Sequence, residues 1–89
     1  MTELLQPTPG SLISEALLRG GLTLDDLARS TRLRPGLLEQ MEADDFTGTG
    51  GDVYARGHLR VIAGVLDIDT DHLLAAYDEA PIVRRPPAP

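Results

Sequence analysis

Apolar residues recur every three or four positions along most of the chain, which is the spacing that places them on one face of an α-helix. No stretch alternates apolar and polar residues in the way that a half-buried β-strand would. Five segments carry the helical period, and the sequence therefore predicts an all-α fold, a small five-helix bundle. The segments begin near Ser11, Thr23, Pro35 and Asp52, and a fifth begins at a cap formed by Thr70 or Asp71.

Prolines concentrate at both ends of the chain. Residues 1–10 hold two prolines and residues 80–89 hold four. Because proline fixes φ and removes a backbone donor, both ranges are predicted to be flexible tails. Residues 11–79 are then the folded domain. Within it, the run TGTGG at residues 47–51 predicts a loop before the fourth helix.

The second and third helices are short and closely connected. About four residues join them, and the connection ends in the apolar residue Leu33. Ala28, five positions earlier, is small enough for two helices to cross closely at that point. This layout is typical of a helix-turn-helix, in which the second helix projects outward. The bundle is therefore predicted to contain one.

The composition narrows the function classes. The 89 residues carry 14 acidic and 8 basic side chains, a net charge of −6, which disfavours non-specific coating of nucleic acid. The absence of cysteine excludes disulfides, zinc–thiolate sites and cysteine nucleophiles. The sequence shows no phosphate-binding loop, nucleophile elbow or paired-carboxylate cleft. We therefore expect no enzyme activity, no cofactor and no small-molecule substrate.

A calcium site is also disfavoured. Asp67, Asp69 and Asp71 imitate the start of a calcium loop, but His72 stands where that loop needs glycine, so helix capping explains the aspartates better and no metal site is expected. The location of the domain is a separate question. No apolar run approaches the roughly 18–20 residues that span a bilayer. The first residues also lack the cationic region of a secretory signal. We expect a cytoplasmic domain.

Arginines surround the predicted turn between the second and third helices. Arg29, Arg32 and Arg34 could hold phosphates and Gln40 could contact a base, as in a DNA-binding transcriptional regulator. Residues 34–51, however, hold one cation against four acidic side chains, a net charge of −3. The simpler interpretation is a solvated face in which Arg29 or Arg32 pairs with a neighbouring aspartate. DNA binding is therefore the alternative function.

The fourth helix carries apolar residues on two neighbouring faces. One stripe is expected to fill the core and contains Val53, Leu59, Ile62, Ala63 and Leu66. The second stripe is expected to contact a protein partner, unless the fifth helix covers it. The predicted partner-binding residues are Tyr54, Arg56, His58, Arg60, Val61, Ile62 and Val65.

Three further points concern the fourth helix. Tyr54 either anchors the partner or packs its ring against Phe46 or Leu74. Gly57 and Gly64, seven residues apart, predict a close helix crossing. A homodimer through this helix is a further alternative, in which the exposed stripe is complementary to itself.

Most of the folded part resembles the cytoplasmic N-terminal domain of the RodZ family, over about residues 11–77. The most specific pieces are TRLR at 31–34, and YARG at 54–57 followed by Leu59-Arg60. The resemblance implies a Cro/repressor-type helix-turn-helix domain in a bacterial protein that links the actin homologue MreB to the cell-envelope machinery and acts in cell shape. It also implies that the fourth helix contacts the filament and that a transmembrane helix follows the domain.

The chain departs from that family in three ways. Glycines 48, 50 and 51 stand where the family has a proline-containing loop. His58 and Ile62 occupy positions at which the family offers aromatic side chains to the filament. No membrane span follows in these 89 residues, so we expect either the cytoplasmic part of a membrane-anchored protein or a soluble relative. The favoured interpretation is a non-catalytic binding module that acts through protein contacts.

Overall fold

The computed structural model describes residues 6–84, and all five predicted helices are present in this range. Apart from one isolated parallel bridge between Asp45 and Val83, residues 6–84 contain no β-structure, so the all-α prediction is confirmed. The second and third helices occupy the two positions of the predicted helix-turn-helix. The helices are α1 Pro9–Gly20, α2 Leu24–Thr31, α3 Pro35–Glu42, α4 Asp52–Leu66 and α5 Thr70–Glu79.

Local capping sets the bounds of α2. The Thr23 hydroxyl accepts from the Asp26 amide at 3.1 Å, and the Asp26 carboxylate accepts from the Thr23 amide at 2.9 Å. This reciprocal capping box satisfies two donors that would otherwise lack partners. At the other end, Arg32 adopts a left-handed conformation with φ of 64° and turns the chain toward α3. Pro35 then occupies the first turn of α3, where its missing N–H costs nothing.

The first helix begins earlier than the sequence predicts. Thr8 is its N-cap, while Ser11 is the third helical residue and completes a capping box with Thr8. Pro9 and Gly10 form the buried first turn, because proline suits the start of a helix. The Gly10 amide donates to the Asp44 carboxylate at 2.8 Å, which ties this turn to the segment after α3. The predicted flexible tail therefore does not extend to residue 10, and residues 1–5 lie outside the described range.

A single core joins all five helices. The fourth helix lies at its centre, in contact with α1, α2 and α5. The rings of Phe46 and Tyr77 meet edge-on in this core, with 5.1 Å between centroids and 69° between planes. The buried cluster comprises Ile13, Leu17, Leu27, Ala28, Leu38, Met41, Phe46, Ala55, Leu59, Ile62, Ala63, Leu73 and Tyr77.

The segment after α5 packs against the domain, contrary to the predicted C-terminal tail. Ala80 is buried, and Val83 pairs with the loop after α3. The Phe46 amide donates to the Val83 carbonyl at 2.7 Å, and the Val83 amide donates to the Asp44 carbonyl at 2.9 Å. Pro81 does not prevent this pairing, because the two donors are the amides of Phe46 and Val83. Residues 85–89 lie outside the described range.

The aspartates before α5 act as helix-end residues, which confirms the capping interpretation. The Asp69 carboxylate accepts from the amides of Asp71 at 2.9 Å and His72 at 3.3 Å. Asp69 is therefore the N-cap, one residue before Thr70 and two before Asp71, the two predicted caps. Asp67 ends α4 in a left-handed conformation with φ of 58°, a role that short polar residues fill more readily than others.

Candidate protein-binding surface on the fourth helix

The buried face of α4 is well defined. Ala55, Leu59 and Ile62 are 0% exposed, and Ala63 is 1% exposed. These positions recur at helical spacing and face the core together. Ile62 therefore cannot belong to an exposed contact surface, and its place among the predicted partner-binding residues is wrong. It lies three residues after Leu59 and seven after Ala55, which puts all three on the inward side.

The outward face of α4 is apolar and uncovered within the described domain. Tyr54 is 64% exposed, Val61 48% and Val65 38%. Val53, which the sequence placed in the core stripe, is 79% exposed because it lies on the opposite side of the helix from Ile62. Of the seven large exposed hydrophobic side chains among residues 6–84, these four lie on one helix. The fifth helix packs elsewhere on α4 and leaves this face open.

Tyr54 points away from the core. The residue is 64% exposed and lies outside the core cluster, and the aromatic partner of Phe46 is Tyr77, so the structure does not support packing of Tyr54 against Phe46 or Leu74. Its ring instead lies beside Gly50, where a side-chain carbon would be 3.4 Å from a Tyr54 ring carbon. Gly50 has φ of 97°, a conformation that glycine adopts readily. The glycine loop therefore borders the exposed tyrosine without covering it.

The cations along α4 differ in their availability. Arg56 is partly exposed and forms ion pairs with Asp52, at 3.1 Å, and with Asp78. The hydrogen bond to Asp52 makes the largest contribution to the raised pKa of Arg56. Arg60 is exposed and makes no ion pair within residues 6–84. His58 is half-buried at the border of the surface. Arg60 is therefore the cation that remains available to a partner.

A polar cluster supports the first turn of α4. Asp52, the first residue of the helix, lies near Arg56, Arg84 and Tyr77. The Tyr77 hydroxyl, followed by the Arg56 guanidinium, lowers the pKa of Asp52 below its ordinary value of 3.8. Burial, followed by the Asp52 carboxylate, raises the pKa of Tyr77. These contacts link α4 to α5 and to the C-terminal segment directly beneath the exposed Val53 and Tyr54.

The helix-turn-helix arginines gather around one open depression of about 420 Å³ between α2 and α3. Arg29, Arg32 and Arg34 line it, but Asp25 lines it as well. Arg29 is paired with Asp26, as one of the sequence interpretations predicts, whereas Arg32 and Arg34 make no ion pair within residues 6–84. The depression therefore offers Arg32 and Arg34 beside the Asp25 carboxylate, a weakly positive environment for phosphate.

Gln40 lies apart from that arginine cluster. It borders a second open depression of about 500 Å³ that shares Arg34 and Pro35 with the first. A side-chain carbon at Gly48 would be 2.6 Å from the Gln40 amide oxygen, so Gln40 lies against the glycine loop. The structure thus brings Arg29, Arg32 and Arg34 together and leaves Gln40 at their edge.

Three features of the α4 surface differ from the sequence prediction. Val53 is exposed, and a side-chain carbon at Gly57 or Gly64 would meet nothing within 4 Å, so these glycines mark no close crossing inside the described domain. The spacing could have shown this, because Val53, Gly57 and Gly64 lie at i, i+4 and i+11 on a single face. The third feature, the Asp52 cluster, joins Asp52 and Arg56 to Tyr77 and Arg84; the i, i+4 spacing of Asp52 and Arg56 indicates the first pair, but nothing local indicates Tyr77 or Arg84.

Among residues 6–84, no helix is long and apolar enough to cross a membrane. The chain is 34% identical over 83 residues to the cytoskeleton protein RodZ of Streptococcus pneumoniae, which covers 93% of this chain and 30% of that protein. It thus spans less than a third of the length of this curated relative.

A solved structure shares the fold. It is YmfM of Staphylococcus aureus, a membrane protein to which DNA binding is provisionally ascribed, with a TM-score of 0.72 and 29% identity. The match covers 84% of this chain and 93% of that one. A family model for a helix-turn-helix domain matches residues 15–73, which include all of α2, α3 and α4. The chain therefore belongs to this family of helix-turn-helix domains and is related to RodZ.

Proposed function

We propose that this chain is a non-catalytic protein-binding module of a bacterial cytoskeletal scaffold, and that it acts in the cytoplasm through the outward face of α4. The observation that carries this proposal is the group of exposed apolar side chains on that helix, Tyr54, Val61 and Val65 together with Val53. A large aromatic anchor beside smaller apolar residues, with an arginine at the border, is the usual anatomy of a protein interface. Arg60 supplies that arginine, while Arg56 and His58 border the surface.

The relationship to a cytoskeleton protein indicates the class of partner. We propose an actin-type filament of the MreB class, bound through Tyr54 and Val61. His58 and Ile62 replace the aromatic residues that the RodZ family offers to the filament, and Ile62 is buried here. Tyr54 is then the principal aromatic anchor on this face, and most of the binding free energy is expected to depend on it.

Co-sedimentation of the 89-residue chain with MreB filaments tests this proposal. Tyr54→Ala is expected to weaken binding about tenfold or more, as loss of a central aromatic anchor usually does. Val61→Ala is expected to have a smaller effect in the same direction. Leu18→Ala is the matched control, because Leu18 is 83% exposed on α1, away from this face. Equal binding by the wild type and Tyr54→Ala, or an equal loss in Leu18→Ala, would overturn the proposal.

DNA binding is a second candidate, favoured by the position of Arg29, Arg32 and Arg34 around one depression. It is weaker because Asp25 lines the same depression and Asp26 pairs with Arg29, so carboxylates offset the arginine charge there. A titration of amide chemical shifts with a random-sequence duplex, at low salt and again near physiological salt, separates the two candidates. Salt-sensitive shifts confined to residues 29–40 would establish phosphate contact, whereas their absence would remove DNA as a ligand.

A further inference from the structure

The outward face of the C-terminal half of α4 is exposed within the described domain. Val61 and Val65 are 48% and 38% exposed, and Gly64 lies between them with open space where a side chain would be. Gly64 has an ordinary helical φ and no close neighbour inside the domain, so neither backbone conformation nor internal packing requires glycine there. Glycine destabilises a helix relative to alanine. A second helix that approaches closely from outside would need this lack of a side chain.

Two charged residues flank this exposed face. Arg60 and Asp67 are both exposed, and neither forms an ion pair with any other residue in the described range. They are seven residues apart: Arg60 lies in the last two turns of α4, and Asp67 is the residue that ends the helix. The midpoint between them falls beside Gly64. A cation without an ion pair in residues 6–84 therefore lies four residues before Gly64, and an anion without one lies three residues after it.

We infer that this half of α4 pairs with the same half of α4 in a second copy of the chain, in antiparallel orientation, with Gly64 near the two-fold axis. A two-fold contact requires a surface that is complementary to itself. Antiparallel pairing about this midpoint sets Arg60 of each copy opposite Asp67 of the other, which gives two equivalent ion pairs. Val61 and Val65 of both copies become covered beside the glycines.

The pairing is short and leaves the other half of α4 free. It covers only the last two turns of each helix, so a weak, concentration-dependent dimer is expected. The two Tyr54 side chains lie about 30 Å apart along the pair, at about 1.5 Å of rise per residue. Where the proposed function holds, Arg60 and Val61 belong to both contact surfaces, so the dimer and the filament compete for this half of α4. The pairing itself does not depend on that function.

Sedimentation equilibrium from about 10 μM to about 1 mM tests the dimer, since a small interface predicts dissociation in this range. Arg60→Glu and Asp67→Arg are each expected to weaken dimerization about tenfold, because each places like charges opposite one another in both ion pairs. The double variant Arg60→Glu with Asp67→Arg restores opposite charges and is expected to recover most of the wild-type association. Arg19→Glu on α1 is the control, with the same charge change as Arg60→Glu at a site away from α4.

Each outcome is decisive. A wild type that stays monomeric across the whole range overturns the inference, and so does a double variant that associates no better than Arg60→Glu. Circular dichroism of each variant establishes that the helices are retained. The filament experiment with Tyr54→Ala tests only the proposed function. Tyr54 lies outside the paired half of α4, so its loss is expected to leave the sedimentation result unchanged.

Discussion

The guanidinium carbon of Arg84 lies 4.4 Å from the centroid of the Tyr77 ring. On the same ring, the Arg56 guanidinium carbon lies 5.5 Å from the centroid. Arg84 also donates to the carbonyl of Tyr77 and approaches Asp52 to 4.0 Å. A residue of the predicted tail therefore joins a buried tyrosine of α5 to the first residue of α4. This arrangement makes the C-terminal segment part of the cooperative fold.

Replacement of Arg84 by alanine is expected to destabilise the domain. Loss of the contact with the Tyr77 ring and with its carbonyl should cost about 1 kcal/mol of unfolding free energy. Urea denaturation monitored by circular dichroism measures this change. Arg19→Ala provides the control, because Arg19 forms an exposed ion pair with Glu15, and such pairs contribute little. Equal effects of the two substitutions would contradict the role assigned to Arg84.

Two glycines should respond oppositely to alanine. A side-chain carbon at Gly10 would lie 2.2 Å from the Glu42 carbonyl oxygen, so Gly10→Ala forces the start of α1 away from the end of α3. The expected cost is about 2 kcal/mol or more. Gly36, in the first turn of α3, has nothing within 4 Å, so Gly36→Ala should be neutral or stabilising by up to about 1 kcal/mol. Thermal or urea unfolding of both variants measures the contrast, and a stable Gly10→Ala variant would refute the close approach.

Burial on α4 predicts a second contrast. Ile62→Ala leaves a cavity in the core and is expected to cost about 2–4 kcal/mol, because Ile62 is 0% exposed. Tyr54→Ala removes a side chain that is 64% exposed and should change the unfolding free energy by less than about 0.5 kcal/mol. Urea unfolding of the two variants distinguishes the core face from the binding face. A large loss in Tyr54→Ala would mean that the tyrosine stabilises the fold.

The lowered pKa of Asp52 predicts a dependence of stability on pH. Because the folded state holds this carboxylate ionised more strongly than the unfolded state does, its contribution is present above pH 3.8 and is lost as the pH falls through the folded pKa. Asp52→Asn is therefore expected to be less stable than the wild type at pH 7, by under about 1 kcal/mol for a largely exposed group.

Urea unfolding of both proteins from pH 7 to about pH 2.5 checks the expectation for Asp52. The difference between the two unfolding free energies should shrink as the pH falls below 3.8. A difference that stays constant over this range would show that the carboxylate charge contributes nothing, and that any loss comes from altered packing at the start of α4.

Local signals were sufficient for most of the fold. The capping box of Thr23 and Asp26, the left-handed turn at Gly21 and the first-turn proline at residue 35 are encoded by near neighbours, so the sequence could predict them. The errors lie where distant residues decide. Thr8, Pro9 and Ser11 encode the start of α1 locally, but its contact with the segment after α3 depends on Asp44, which accepts the Gly10 amide from 34 positions away. No local pattern reports such a partner.

The site was predicted in part, for a related reason. Helical spacing places Tyr54, Val61 and Val65 on one face, and the structure leaves that face exposed. Spacing shows that Val53 and Ile62 lie on opposite sides of α4, but not which side the core covers. That depends on where α1, α2 and α5 contact α4, and in the structure Ile62 is buried and Val53 exposed. The pattern of one helix shows which residues share a face, but not which other helices pack against that face.

The bridge at Val83 has a mechanical consequence. Two hydrogen bonds hold Val83 to the Asp44–Phe46 segment, one residue before the last residue that the structure describes. A pulling force applied at Arg84 therefore loads these bonds and the stacked arginine before it reaches α5. These contacts are therefore expected to break before the five-helix core bears the load.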